Sequence, residues 1–203
     1  MEIICLDLEG VLVPEIWIAF ADRVGIPALR RTTRDEPDYH KLMAWRMNIL
    51  RENHLTLGDI QNTIASIKPL DGAGEFLEKV RSLTQVVILS DTFEEFASPL
   101  MKQLGWPTIL CNSLVVDENN MLSDIRMRIE DGKRKAVDAF RSLNYRTFAA
   151  GDSYNDLTMI MRADSGALFR APKNILEEYP GLPLCTTYDE FYAVIEDFVR
   201  SGR

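Results

Sequence analysis

The segment ICLDLEGVLVPE, residues 4–15, places two carboxylates, Asp7 and Glu9, two residues apart at the end of an apolar run. On a strand, residues i and i+2 face the same side, so the pair would crowd like charges. Such crowding is costly unless a cation or a shared proton relieves it. Two further acids, Asp152 and Asp156, sit in GDSYND directly after a second apolar run, TFAA. Hard oxygen donors in such a group suit Mg²⁺, which takes a few carboxylates together with waters and a phosphate oxygen. Bound Mg²⁺ would also offset the repulsion. A lone Asp7 would read as a turn or cap residue, but four acids gathered at one sheet edge read as a metal site that performs chemistry.

Several elements must position these acids. Short apolar runs at residues 3–8, 86–89 and 147–150 predict buried strands, with 108–111 and 166–169 as two more. Helical patterns at residues 72–83, 93–104 and 134–143 lie between them. This alternation predicts an α/β fold, a parallel sheet with helices on both faces. In such sheets the site lies beyond the carboxyl ends of the strands. DLEG, SDT and GDSYND each fall at such a junction. Residues 114–116 and 121–129, around DENN, alternate as an antiparallel hairpin would. Residues 14–68 carry helical patterns and no strand, which predicts a helical subdomain over the site.

Composition sets the outer limits. The chain has 203 residues, of which 46% are hydrophobic and 27% charged, as expected of a globular protein with a proper core. A net charge of -8 argues against general binding to nucleic acid or anionic membrane. An anionic substrate must then be met by local donors or a metal. No apolar run reaches membrane-spanning length, and MEIICLDLEG has no basic region before its apolar stretch, so a cytoplasmic location is the default expectation. The chain alone does not fix an oligomeric state. Cys5, Cys111 and Cys185 are far apart and form no CxxC pair, so buried free thiols are expected rather than a zinc site or disulfides.

Taken in order, DLEGV, SDT, a lysine at 133 and GDSYND resemble the four motifs of the haloacid dehalogenase (HAD) superfamily of phosphotransferases. The resemblance runs across the whole chain and puts the helical insertion where C1 caps sit. Within the superfamily the chain most resembles phosphoserine phosphatases, and more closely the bacterial phosphoserine phosphatase/homoserine phosphotransferase group, which has Glu at the second acidic position. It implies a Rossmann-like catalytic core of residues 1–13 and 69–203 with a small helical cap of residues 14–68. It also implies Asp7 as the nucleophile, forming an aspartyl-phosphate, and Glu9 as the general acid and base. The pKa of one of the pair would be raised by the other's charge. Asp7, the backbone carbonyl of Glu9 and Asp152 would hold Mg²⁺, with Asp156 either a ligand through water or, preferred, behind them, orienting Asp152 or Lys133. Ser90 and the N–H of Asp91 would grip the phosphoryl group at the start of the next helix. Family members often have Gly at the position of Asp91, so its side chain is expected to turn away. Lys133 would neutralise phosphoryl charge. Lys135 is its rival in DGKRKAV, and Lys133 is preferred because it precedes the predicted helix.

Tyr39, Leu42, Met43, Arg46, Ile49 and Leu50 form one helical stripe that Arg46 interrupts. An arginine that buries its stem and snorkels is the plain reading. A guanidinium that grips a substrate carboxylate is the functional one, and the resemblance supports it. Glu15, by itself a first-turn acid after Pro14, resembles the acid that meets the substrate ammonium. Asn155 would add a polar contact to substrate or phosphate, while Met43 and Trp45 read as packing. RDEPD, residues 34–38, reads as a charged turn without chemistry. The implied activity is Mg²⁺-dependent hydrolysis of O-phospho-L-serine, with L-homoserine as a second phosphoryl acceptor. The alternatives are a HAD phosphatase for another metabolite, such as a methionine-salvage sugar phosphate, and a non-catalytic phosphoacceptor signalling domain.

Overall fold

The computed structural model describes residues 1–33, 35, 36 and 38–202, so Arg34 and Pro37 of the RDEPD turn lie outside the described residues. Strands β1 (Glu2–Leu6), β2 (Gln85–Phe93), β3 (Thr108–Val116), β4 (Leu122–Arg126), β5 (Arg146–Gly151), β6 (Ser165–Phe169) and β7 (Leu184–Cys185) form one sheet. Its order is β4-β3-β2-β1-β5-β6-β7, and every neighbouring pair is parallel except β3 and β4. The α/β expectation and the antiparallel hairpin are both met. β3 serves twice, pairing with β2 through its first half and turning back on β4 through its second.

Side-chain alternation along the strands divides the core. Ile4, Leu6, Ile88 and Phe148 point to one face, where α4 (Ala73–Leu83), α5 (Glu94–Gln103) and α9 (Tyr188–Arg200) cover them. Ile3, Cys5, Val87 and Leu89 point to the other, covered by α6 (Gly132–Ser142), α7 (Leu157–Arg162) and α8 (Lys173–Glu178). Burial on both faces is why the strands read as continuous apolar runs rather than alternating ones. All three cysteines are buried free thiols. No helix among the described residues is long and apolar enough to cross a membrane.

Between β1 and α4 the chain forms α1 (Ile16–Val24), a short 3₁₀ turn, α2 (Tyr39–Glu52) and α3 (Leu57–Ser66). Local chemistry starts these helices. Asp38 caps α2 by accepting from Lys41 N, and Thr56 with Asp59 makes a capping box at α3. Phe20, Met43, Leu50, Ile60 and Ile64 of these helices join the same apolar cluster as the sheet residues Ile4 and Phe148. The helical segment is therefore packed onto the sheet through a shared core.

Three boundaries differ from expectation, and some elements were not predicted at all. β1 ends at Leu6 rather than residue 8, because Leu12 N and Val13 N both turn back to Leu8 O. Gly10, at φ +77°, permits that reversal. β2 continues through Ser90 to Phe93 with a register shift against β3 after Leu89, so Ser90 and Asp91 lie on an irregular strand end and not at a helix start. α6 begins at Gly132, which places Lys133 in its first turn. β7 and helices α7–α9 had no counterpart among the predicted elements, although Thr187 and Glu190 form a capping box before α9.

Gly151 closes β5 where the chain folds back on itself. A Cβ there would lie 2.1 Å from Asp156 Cγ. Gly151→Ala should therefore expel the Asp156 carboxylate and destabilise the fold by about 1–3 kcal/mol, as overpacking does. Chemical denaturation against the parent protein measures this, and an unchanged midpoint would show that the turn has room.

Candidate active site

Of the ten residues singled out from sequence, nine line one cavity of about 320 Å³: Asp7, Glu9, Glu15, Arg46, Ser90, Asp91, Lys133, Asp152 and Asn155. Asp156 lies behind them, fully buried. The cavity opens past the carboxyl ends of β1, β2 and β5, and α1 and α2 supply its other wall.

Lys133 is the hub. Its Nζ lies 2.7 Å from Asp156 Oδ1, 3.0 Å from Asp7 Oδ1 and 3.6 Å from Asp91 Oδ2. Burial alone would discharge this lysine, but Asp156, Asp7 and Asp91 hold it charged and raise its pKa well above the ordinary value. Asp156 is fixed from its other side, where Oδ2 accepts from Asp152 N, Ser153 N and Ser153 Oγ at 3.0–3.2 Å. Lys135, two residues on, does not line this cavity but an adjoining one of about 190 Å³, which shares Ser90, Asp91 and Lys133 with it.

Asp7 lies just past β1. Its Oδ1 accepts from Leu8 N at 2.8 Å and faces Lys133, while Oδ2 has no protein partner among the described residues. Burial pushes its pKa well up, helped by Asp156 and Asp152 and opposed by Lys133. Carboxylate oxygens of Asp7, Asp152 and Asp156 all lie within 4.8 Å of one another. With Asp91 beside them, four carboxylates gather around one ammonium. That excess of negative charge fits a divalent cation. Asp7, Asp152 and Asp156 are the carboxylates that could hold it, and Asp156 also serves Lys133 and two backbone N–H groups. Gly10 completes the cradle, since a Cβ there would meet Asp152 Oδ2 at 2.5 Å.

Glu9 is separated from Asp7 by the early end of β1. Its Oε2 accepts from Ile16 N at 2.8 Å, at the N-terminus of α1. Burial, then repulsion from Glu15, pushes its pKa up to about 7 against the pull of Ile16 N–H, Arg46 and Lys133. The expectation that Asp7 and Glu9 raise one another is corrected accordingly, because Glu15 acts on Glu9, and Asp156 with Asp152 on Asp7. A carboxyl that titrates near neutrality can both give and take a proton.

Arg46 does not snorkel. Its guanidinium is buried 4.4 Å over the Trp17 ring, and Nη2 donates to Arg31 O at 2.6 Å. Nε has no partner among the described residues, and burial lowers the group's pKa to about 10. A buried donor left without an acceptor is costly and points to a missing ligand atom. Glu15 is exposed at the cavity, at the N-cap position of α1. Met43 is buried packing, and half-buried Trp45 stacks under Arg31.

The expectation that the Asp91 side chain turns away is also corrected. Its Oδ2 accepts from Asn155 Nδ2 at 2.9 Å and faces Lys133. Asn155 is thereby engaged with Asp91. Ser90 is buried, its Oγ accepting from Thr92 N. Tyr39 and Trp17 line the cavity without having been singled out for it. Tyr39 was legible, lying two helical turns before Arg46 on one stripe. Trp17 gave no sequence signal toward Arg46.

An aspartate past the central strand of a parallel α/β sheet, a buried lysine beside it and an acidic group fit for a cation define a phosphotransfer-type hydrolase site. The family model for haloacid dehalogenase-like hydrolases matches residues 18–161, and the chain belongs to that family of enzymes. It is 57% identical over 190 residues to the phosphoserine phosphatase ThrH of Pseudomonas aeruginosa, covering 94% of this chain and 93% of that one. A phosphoserine phosphatase of Pseudomonas syringae pv. tomato is also 57% identical, over 202 residues, covering 100% of this chain and 84% of its own. Among solved structures, a phosphoserine phosphatase in apo form superposes with a TM-score of 0.74 at 21% identity, covering 91% of this chain and 92% of that one. That likeness is one of fold.

The hub generates a test. Lys133→Met leaves the buried Asp156 without its cation and should cost about 3–5 kcal/mol of stability. Lys133→Met with Asp156→Asn should recover part of that loss. Equal stability of parent and single variant, by denaturant unfolding, would refute the charge balance described.

Proposed function

We propose that the protein is a cytoplasmic, Mg²⁺-dependent phosphatase of O-phospho-L-serine, with residues 1–13 and 69–203 as catalytic core and residues 14–68 as cap. The observation that carries this reading is the partnerless Nε of buried Arg46, which lines the same cavity as Asp7. A substrate carboxylate would supply the missing acceptor, and Glu15 would meet an ammonium. A sugar phosphate would leave Arg46 unmet. A phosphoacceptor domain would have no use for it either. The 57% identical relatives named phosphoserine phosphatase support the same substrate.

Asp7 Oδ2 attacks phosphorus and the ester oxygen leaves, giving an aspartyl-phosphate. Glu9, part-protonated near neutral pH, delivers its proton to the departing serine oxygen. It then takes a proton from water as that water attacks phosphorus, which frees inorganic phosphate and restores Asp7. Ser90 Oγ–H, the N–H of Asp91 and Lys133 hold the phosphoryl oxygens throughout. Mg²⁺, held by Asp7, Asp152 and the carbonyl of Glu9, would supply further neutralisation of phosphoryl charge.

An alcohol held where water attacks would take the phosphoryl group instead. Homoserine carries the ammonium and carboxylate that Glu15 and Arg46 would read, with its hydroxyl one carbon further out.

Two measurements test the reading. Arg46→Lys should raise KM for phosphoserine by about tenfold or more, since an ammonium cannot reproduce the planar fork. The same change should alter hydrolysis of p-nitrophenyl phosphate much less, and equal losses on both would refute carboxylate recognition. Adding L-homoserine during phosphoserine turnover should yield phosphohomoserine at the expense of inorganic phosphate, as read by phosphorus NMR. Inorganic phosphate alone would leave a plain phosphatase. In either assay Asp7→Asn, folded but without the nucleophile, should release no product.

A further inference from the structure

Asp91 has a side chain that the mechanism does not use. Its main chain is held from two directions, with the carbonyl accepting from Tyr39 Oη at 3.1 Å and from Asn112 Nδ2 at 3.2 Å. Those bonds keep its N–H where a phosphoryl oxygen would be gripped. The carboxylate is held differently. Asn155 donates to it at 2.9 Å, and it stands 3.6 Å from Lys133, the longest of that lysine's three ion pairs. The other two carboxylates are committed, Asp156 to its three other donors and Asp7 to reaction. Asp91 is also the most open of the three, its side chain 41% exposed against 0% for Asp156 and 7% for Asp7. A rotation about its side-chain bonds carries it into water without moving the pinned backbone.

The carboxylate therefore occupies ground that an incoming phosphoryl group needs. Any oxyanion approaching Lys133 and Ser90 meets a like charge that must either be displaced or be endured. Resting on the phosphatase reading, we infer that Asp91 is a specificity-determining residue, an anionic gate on the phosphoryl site that opposes oxyanions lacking other holds on the protein. A substrate gripped by Arg46 and Glu15 offsets the opposition through binding at its far end. Inorganic phosphate has no such end. The gate favours its release after each turnover and disfavours small phosphate esters without the amino-acid moiety.

Asp91→Asn tests this, because the amide keeps the shape and can still accept from Asn155 while losing the charge. Asp91→Gly, which has no side chain at all, serves as the second variant. Binding of inorganic phosphate is measured by titration calorimetry in Mg²⁺ buffer, on proteins whose thermal unfolding shows them folded. Removing one like charge at about 4 Å should tighten phosphate binding about fivefold or more in both variants. The ratio of kcat/KM for phosphoserine to that for p-nitrophenyl phosphate should fall by a similar factor. Phosphate affinity that is unchanged or weakened in both variants, with the parent binding phosphate, overturns the gate and leaves the phosphatase reading standing. Phosphate binding by none of the three proteins overturns both.

Discussion

Everything in the site depends on one buried ammonium. Lys133 is buried, which disfavours its charge, and Asp156, Asp7 and Asp91 lie within reach to hold it. That requirement propagates outward. Asp156 must turn back under Gly151, whose missing side chain makes the space, and there it takes three further hydrogen bonds. Asp7 must stand just beyond β1, and α6 must begin at Gly132 so that the lysine enters on its first turn. Each of these sequence positions answers to the same electrostatic demand. The lysine does not neutralise the whole cluster, and the surplus carboxylate charge is what makes the place hospitable to a divalent cation.

The central strands and the acids beyond their ends were legible because burial on both faces writes each strand as an unbroken apolar run ending in polar residues. Where those runs stopped was not. β1 ends two residues early through main-chain bonds to Leu8 O, which no side-chain pattern announces. That shift changed the electrostatics read from it, since residues past the strand end no longer share a face. The repulsion attributed to Asp7 and Glu9 is carried by Glu15 and Asp156 instead. Ser90 and Asp91 were expected at a helix start, and they lie on a strand end that slips its register against β3. Lys133 was preferred over Lys135 for preceding a helix, whereas both lie within it, and what separates them is that Lys133 is buried among Asp7, Asp91 and Asp156 while Lys135 is half-buried outside that group.

Arg46 illustrates a different limit. Its place on an apolar stripe was visible, and the stripe alone allowed either a snorkelling head or a buried one. The choice is made by Trp17, 29 positions earlier in the sequence on α1, and by Arg31 O at the end of the 3₁₀ turn. These contacts arise only because α1 and α2 pack into the apolar cluster that also covers the sheet. Tertiary packing fixes the guanidinium, so the sequence around it could not.

The same packing joins the Arg46 end of the cavity to its Ser90–Asp91 end. Tyr39 and Arg46 lie seven residues apart on α2 and so share a face. The first bonds the carbonyl of Asp91 and stacks on Phe93 of β2, while the second lines the cavity beyond. A displacement of α2 that widened the cavity would pull on the β2 end that carries Ser90 and Asp91. It would also withdraw Arg46. In the packed state both ends of the cavity are set by one helix resting on one strand end. The hydroxyl of Tyr39 thus makes the position of α2 part of the cavity's own geometry.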